Sequence, residues 1–373
     1  MIPFHDLSAA HARHGAAIER RIRNVHAHGR YVLGPEVEEL ETALARRVGR
    51  RHCISVGSGT DALLLALLAC GIGRGDEVVM PAFCFVAAAE MTTLLGAVPV
   101  FVDIDPITYN LDPAAAAAAI GPRTRAIIAA DLFGQCADYA RLEALAVQRG
   151  LVLISDAAQS FGATQAGRCA GSFGTIAITS FYPTKPLGAY GDGGACFTDQ
   201  DDLAALLRQL RNHGQQTHYT HTRVGINSRL DTMQAAVLLA KLEAYDDELA
   251  RRRAVAESYS ACFGGAVTTP QISPGNTSVW AQYTIEVEAR ESVRARLHCV
   301  GIPTAVHYPF PLHQQPAYLQ SLHLPHSETA TQRVLSLPFH ADLASPMIER
   351  IAAAVIEATT AEQDLYRVES SVG

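Results

Sequence analysis

Between residues 52 and 155 short β-branched runs alternate with alanine- and leucine-rich stretches of helical spacing, and few architectures accommodate that alternation. The runs at 53–56, 77–80, 98–102, 125–130 and 151–155 read as strands, and those at 60–68, 86–95 and 139–147 as helices. A chain that repeats strand and helix in this way folds as an α/β layer structure, a mostly parallel central sheet with helices on both faces. Two leading helices are expected over 9–28 and 35–48, the second opening on Gly34-Pro35, where proline suits a first helical turn.

Beyond residue 201 the pattern changes. A helix is expected over 201–212, then a long helical region of alternating charge over 228–263 that bridges two domains. A strand at 278–287, a helix at 291–300 ending at Gly301, a strand at 304–307 and a closing helix at 345–359 compose a smaller α+β domain. The division is expected at Tyr245, giving a large domain of residues 1–245 and a small one of 246–373.

Composition bounds the function. At 373 residues, 49% of them hydrophobic, the chain buries a sizeable core. A formal charge of -7, with no basic run longer than Arg20-Arg-Ile-Arg23, argues against a nucleic-acid partner. No stretch approaches the roughly 18 to 20 apolar residues of a membrane span, and the first residues lack a leader pattern, so a cytoplasmic protein is expected. The eight cysteines are scattered without a C-x-x-C pair and read as reduced.

Five segments carry candidate chemistry. Lys185 closes Ser180-Phe-Tyr-Pro-Thr-Lys185 and precedes an apolar, glycine-rich stretch. Such a lysine is either an ordinary surface charge or an amine whose lowered pKa suits a Schiff base with a carbonyl such as pyridoxal phosphate, PLP. Gly57-Ser-Gly-Thr-Asp-Ala62 lies between a strand and a helix, where backbone N–H groups cradle a phosphate or where a tight turn is merely capped. Asp156 directly follows an apolar strand, placing it either at a ligand's pyridine nitrogen, with Gln159 in reach, or at a helix cap.

Arg229, in Gly225-Ile-Asn-Ser-Arg229-Leu-Asp-Thr, offers a bidentate fork for a carboxylate, or else an ion pair with Asp231. Thr304-Ala-Val-His307-Tyr-Pro-Phe-Pro-Leu-His313 holds imidazole and aromatic groups on a proline-stiffened segment, either at a ligand or as a packed loop. No carboxylate pair accompanies its histidines, so a metal site is not expected.

In their order and spacing these segments resemble the PLP-dependent nucleotide-sugar aminotransferases of the DegT/DnrJ/EryC1/StrS family. The resemblance spans the chain, from Tyr31-Val-Leu-Gly-Pro-Glu-Val through Pro81-Ala-Phe-Cys-Phe-Val-Ala, Pro99-Val-Phe-Val-Asp-Ile-Asp-Pro and Asp156-Ala-Ala-Gln-Ser-Phe-Gly to the segment around His307. It implies PLP fold type I, the aspartate-aminotransferase architecture, with Lys185 forming the Schiff base, Asp156 on the pyridinium nitrogen and Gln159 on the ring hydroxyl. Phe85 would stack on the ring. Gly59, Thr60 and Ser180 would hold the phosphate, with Asn227 reaching it from the second subunit of a homodimer.

Within the family, Thr304-Ala-Val-His-Tyr-Pro, Gly225-x-Asn-Ser-Arg-Leu-Asp-Thr and Ser278-Val-x-Ala-Gln-Tyr are most similar to members acting on UDP-2-acetamido-2-deoxy-3-oxoglucuronate with L-glutamate as donor and 2-oxoglutarate as by-product. That likeness implies a role in bacterial surface polysaccharide synthesis, with Arg229 and His307 recognising carboxylates and Tyr308 near the sugar. Three rivals are an aminotransferase for a dTDP-3-oxo-6-deoxyhexose, a PLP-dependent sugar dehydratase, whose family members carry histidine where this chain has Lys185, and a non-catalytic PLP-binding regulator. Many relatives carry histidine where this chain has Asp131, so no imidazole role transfers to that position.

Overall fold

The computed structural model describes residues 2–371, with side-chain surroundings for 2–362. Two helices lead the chain, α1 (Leu7–His28) and α2 (Pro35–Val48). Asp6 caps α1 by accepting the N–H groups of Ser8 and Ala9, and Gly29 and Gly49 end the two helices in the left-handed conformation that glycine adopts without strain.

Seven strands then form one sheet: β1 (His52–Val56), β2 (Glu77–Pro81), β3 (Val98–Val102), β4 (Thr124–Ala130), β5 (Val152–Asp156), β6 (Ile176–Ser180) and β7 (Gly194–Thr198). Their spatial order is β1-β7-β6-β5-β4-β2-β3. Only β7 runs antiparallel to its neighbours. Alternate residues serve opposite faces, as the two-residue period of a strand requires. Val78, Met80, Ala126, Ile128 and Ile154 pack beneath α3 (Gly59–Ala69) and α4 (Ala87–Leu94), whereas Val79, Ile127, Ala129 and Leu153 meet α5 (Pro113–Ala119) and α6 (Tyr139–Arg149). Helix α7 (Asp201–Leu210) completes the first face.

The expected helical region at 228–263 is two helices. α8 (Thr232–Leu242) and α9 (Tyr245–Phe263) break at Glu243-Ala244, and the residues before Thr232 are irregular because they build the site described below. The second unit pairs β8 (Tyr283–Glu286) antiparallel with β9 (Val334–Leu337) and covers them with α9, α10 (Arg290–Cys299) and α12 (Ser345–Ser371), while α11 (Pro325–Arg333) leads into β9. Its core stacks Tyr259, Phe263, Tyr283 and Phe339 against Ile351 and Val355, and Ile2 inserts into the same cluster.

Two strand expectations need correction here. Residues 278–282 are not strand: Val279 and Ala281 donate to the carbonyls of Gly134 and Phe133, spending their N–H groups on the loop after β4. Residues 304–307 make only an isolated bridge, Ala305 with Ser336, before the chain turns towards the sheet.

Candidate active site

The site lies where the parallel strands end, the edge at which open α/β sheets present loops to ligands. After β1 the chain turns through Gly57-Ser58 into α3. The Ser58 hydroxyl caps that helix by accepting the Asp61 N–H at 3.0 Å. Among the described residues the N–H groups of Gly59 and Thr60 find no acceptor, so the positive end of α3 is open to an anion. Gly59 abuts the end of β6: a Cβ there would stand 2.6 Å from the Ser180 Cβ. The glycine is thus what allows the helix turn and the Ser180 hydroxyl to share one cradle. Ser228 fixes the loop from below, its hydroxyl accepting the Gly57 N–H at 3.0 Å and donating to Asp61 Oδ2 at 2.8 Å.

Asp156 ends β5 and accepts the Ala158 N–H at 3.0 Å, but no helix follows it, so helix capping is not its role. Burial raises its pKa above the usual carboxylate range, against the pull of that N–H and of the Lys185 charge. Lys185 lies on the turn after β6, where its N–H donates to the Tyr182 carbonyl at 2.8 Å. Part of its surface stays open to the cleft, yet protein surrounds the amine. Desolvation therefore lowers its pKa, opposed by Asp156. The surface-lysine reading fails on that burial, and what results is an amine shifted towards its neutral, nucleophilic form beside an acid whose charge it supports.

Gln159 is buried with both ends of its amide engaged: Oε1 accepts the Phe133 N–H at 2.9 Å and Nε2 donates to the Tyr308 hydroxyl at 3.2 Å. Tyr308, set among the sugar-facing candidates by its sequence context, is joined to the Asp156–Gln159 corner by that bond. Phe85 is 56% exposed, with its ring 6.1 Å from that of Tyr308, leaving a face free to stack. His307 places Nδ1 2.9 Å from the Ser336 hydroxyl, and burial, with His5 and Lys185 nearby, pushes its pKa down to about 4. The imidazole is therefore neutral near pH 7.

Arg229 makes no ion pair with Asp231. Its Nη1 donates to Asn212 Oδ1 at 2.9 Å, while its Nε is buried without an acceptor among the described residues. Asn227, two residues earlier, is exposed.

Sequence reasoning gave no role to Ser228 or Asp131. The Asp131 side chain is buried in a network of donors, the Ser160 hydroxyl at 2.6 Å, the Tyr139 hydroxyl at 2.7 Å and the Ala137 N–H at 2.8 Å. Its own N–H donates to the Asp156 carbonyl at 3.0 Å, so it anchors the strand end that carries Asp156. No local sequence signal distinguishes such a residue from an ordinary loop aspartate.

A profile of the DegT/DnrJ/EryC1/StrS aminotransferase family matches residues 13–356. The chain belongs to this family. The UDP-2-acetamido-2-deoxy-3-oxo-D-glucuronate aminotransferase of Pseudomonas aeruginosa is 52% identical over 357 residues, spanning 95% of this chain and 99% of the relative. A DegT DnrJ EryC1 StrS aminotransferase from Brucella abortus superposes with a TM-score of 0.94 at 44% identity, covering 96% of this chain and 100% of that one. NtdA from Bacillus subtilis, solved with bound cofactor PMP, superposes with a TM-score of 0.87 at 30% identity, over 92% and 82% of the two chains.

The architecture of this aminotransferase is that of PLP fold type I, and its cofactor is PLP. Its own residues fit that group. The cradle at Gly59, Thr60 and Ser180 suits a phosphate, the desolvated Lys185 suits an aldehyde, and the buried Asp156 suits a protonated ring nitrogen. Among the described residues no helix is long and apolar enough to cross a membrane, and no cluster of ligating side chains suits a metal ion.

Proposed function

We propose that this aminotransferase moves the amino group of L-glutamate to the keto carbon of UDP-2-acetamido-2-deoxy-3-oxoglucuronate, releasing 2-oxoglutarate, in surface polysaccharide synthesis in the cytoplasm. The likeness to the Pseudomonas aeruginosa relative points to the substrate. The observation in this chain that supports a carboxylate-bearing substrate is Arg229, a half-buried guanidinium whose Nε has no acceptor among the described residues. A buried donor without a partner costs roughly 1 to 3 kcal/mol, and a carboxylate of sugar or donor satisfies it.

PLP, when bound, supplies the electron sink that makes the carbon bearing the amine acidic. Lys185 would take the proton from the donor's amine-bearing carbon and, in the second half of the cycle, deliver one to the sugar carbon that receives the amine, its burial keeping the amine neutral enough to accept. Asp156 holds the ring nitrogen protonated, Gln159 faces the ring hydroxyl, and Gly59, Thr60 and Ser180 hold the phosphate. Phe85 covers the ring and excludes water. Tyr308 orients Gln159 at the sugar side, and His307 donates an N–H to a carboxylate. In a homodimer Asn227 reaches the phosphate of the second subunit, which accounts for its exposure here. We place the domain division at Tyr245, where α9 begins.

The test is the visible spectrum of PLP-loaded protein. Glutamate should bleach the absorbance, and UDP-2-acetamido-2-deoxy-3-oxoglucuronate alone should restore it. Recovery with a dTDP-3-oxo-6-deoxyhexose in its place would leave the reaction standing and overturn the assignment of the uronate.

A further inference from the structure

Of the 30 lysine and arginine residues in the chain only two, Lys185 and Lys241, are lysines. Both line one cavity of about 50 Å³, behind the loop that carries Lys185. Lys241 lies near the end of α8, where its Nζ donates to the Gly188 carbonyl at 2.6 Å and stands 4.6 Å from the centroid of the Tyr190 ring. Its acidic neighbour Glu248 is engaged by Arg13 and Arg252 instead. A half-buried cation has thus been given a backbone carbonyl and an aromatic face in place of a carboxylate. Burial pushes its pKa down to about 8, which still leaves it mostly charged near pH 7.

The loop it holds has little slack. A Cβ on Gly188 would fall 2.4 Å from the Pro183 carbonyl oxygen, and Ala189 donates back to the Phe181 carbonyl at 2.8 Å. Seven residues before Lys241, on the same face of α8, Gln234 accepts the Tyr190 N–H at 2.8 Å and lies against Gly191. Helix α8 therefore grips the 186–191 loop at two points, and the grip nearer to Lys185 is the ammonium.

We propose that Lys241 is a positioning residue for Lys185: its compact ammonium holds the Gly188 carbonyl and so fixes the turn that aims the Lys185 amine into the cleft. A point donor on a flexible stem serves one carbonyl under an aromatic ring, whereas the planar fork of arginine asks for two acceptors and more room. In a chain that uses arginine at every other basic position, lysine stands at the place where that difference counts. The inference rests on the role proposed for Lys185.

The test compares wild type with Lys241→Met and Lys241→Arg. Its readouts are the PLP dissociation constant, the pH midpoint of the bound-PLP absorbance and the melting temperature of the PLP-free protein. Lys241→Met should weaken PLP binding about tenfold and shift the midpoint, with only the modest fall in the PLP-free melting temperature that the loss of one charged hydrogen bond brings. Lys241→Arg should fall between. Wild-type affinity and midpoint in Lys241→Met would overturn the proposal, as would a fall in melting temperature large enough to explain the weaker binding. Wild-type values in Lys241→Arg would overturn the need for a compact ammonium. Should Lys241→Met not fold, Lys241→Gln decides, because its shorter donor cannot span to Gly188, and wild-type behaviour there overturns the proposal. Failure of the Lys185 reading itself would appear separately, as wild-type protein that carries no PLP on Lys185.

Discussion

At the scale of single residues the site works by desolvation. Lys185 loses and Asp156 gains pKa for the same reason, removal of a charge from water, and each tempers the shift of the other. Behind them burial pushes Asp131 up to about 7, even with three donors on its carboxylate. A carboxyl whose folded pKa lies above its unfolded value holds its proton in the native state while the unfolded chain has already released it. Stability therefore falls as pH rises from about 4 to about 7 and levels off beyond that. Asp131→Asn removes the titrating proton, so the melting temperature of PLP-free protein should decline less across that window than in wild type. A decline as steep as the wild type's would show that another group is responsible. Lys185 and Asp156 stood out in the sequence because a lysine in a glycine-rich run and an aspartate after an apolar strand are local patterns, although those patterns alone left a surface lysine and a helix cap open. Asp131 and Lys241 did not, since their partners Ser160 and Gly188 meet them only once the sheet and α8 are assembled.

At the scale of elements, the cradle depends on how closely α3 approaches the end of β6. Gly59→Ala would drive a methyl group into Ser180, where the 2.6 Å contact leaves no room, so helix or strand end must shift. Overpacking of this kind costs on the order of 1 to 3 kcal/mol, and here it should appear mainly as weaker PLP binding, measured by absorbance titration. Unchanged affinity would move the phosphate site elsewhere. The elements that sequence periodicity located well, such as α2 and β3, have clean boundaries: Gly34-Pro35 before one, and a β-branched run beginning after Gly96-Ala97 for the other. β6 and β7 escaped because each is only five residues long and set among glycine-rich loops, Gly171-Ser-Phe-Gly174 before one and Gly191-Asp-Gly-Gly194 at the start of the other, so the short apolar runs around Ile176 and Phe197 carry too little pattern to mark a strand. The break between α8 and α9 left no trace either, as Glu243-Ala244 are ordinary helix formers.

At the scale of the whole molecule, the single chain leaves Asn227 exposed, and the proposed homodimer brings it to a second copy. If Asn227 completes the partner's site, co-refolded Lys185→Ala and Asn227→Ala chains should recover part of the activity that each lacks alone. The mixed dimer has one site in which both residues are intact. No recovery, with dimers present by sedimentation, would place Asn227 in its own subunit's site. The parallel sheet and its helical layers were readable from the alternation of strand and helix. A homodimer was implied only by the family resemblance, because one chain's periodicity says nothing about which surface a second copy would cover.

Whether the Lys185 amine carries the cofactor is open to direct test, because the chain has only two lysines. PLP-loaded protein would be reduced with borohydride, digested and mapped by mass spectrometry. The pyridoxyl mass should appear on the peptide containing Lys185 and on no other. The same mass on the Lys241 peptide or the amino terminus, with Lys185 unmodified, would contradict that role of Lys185.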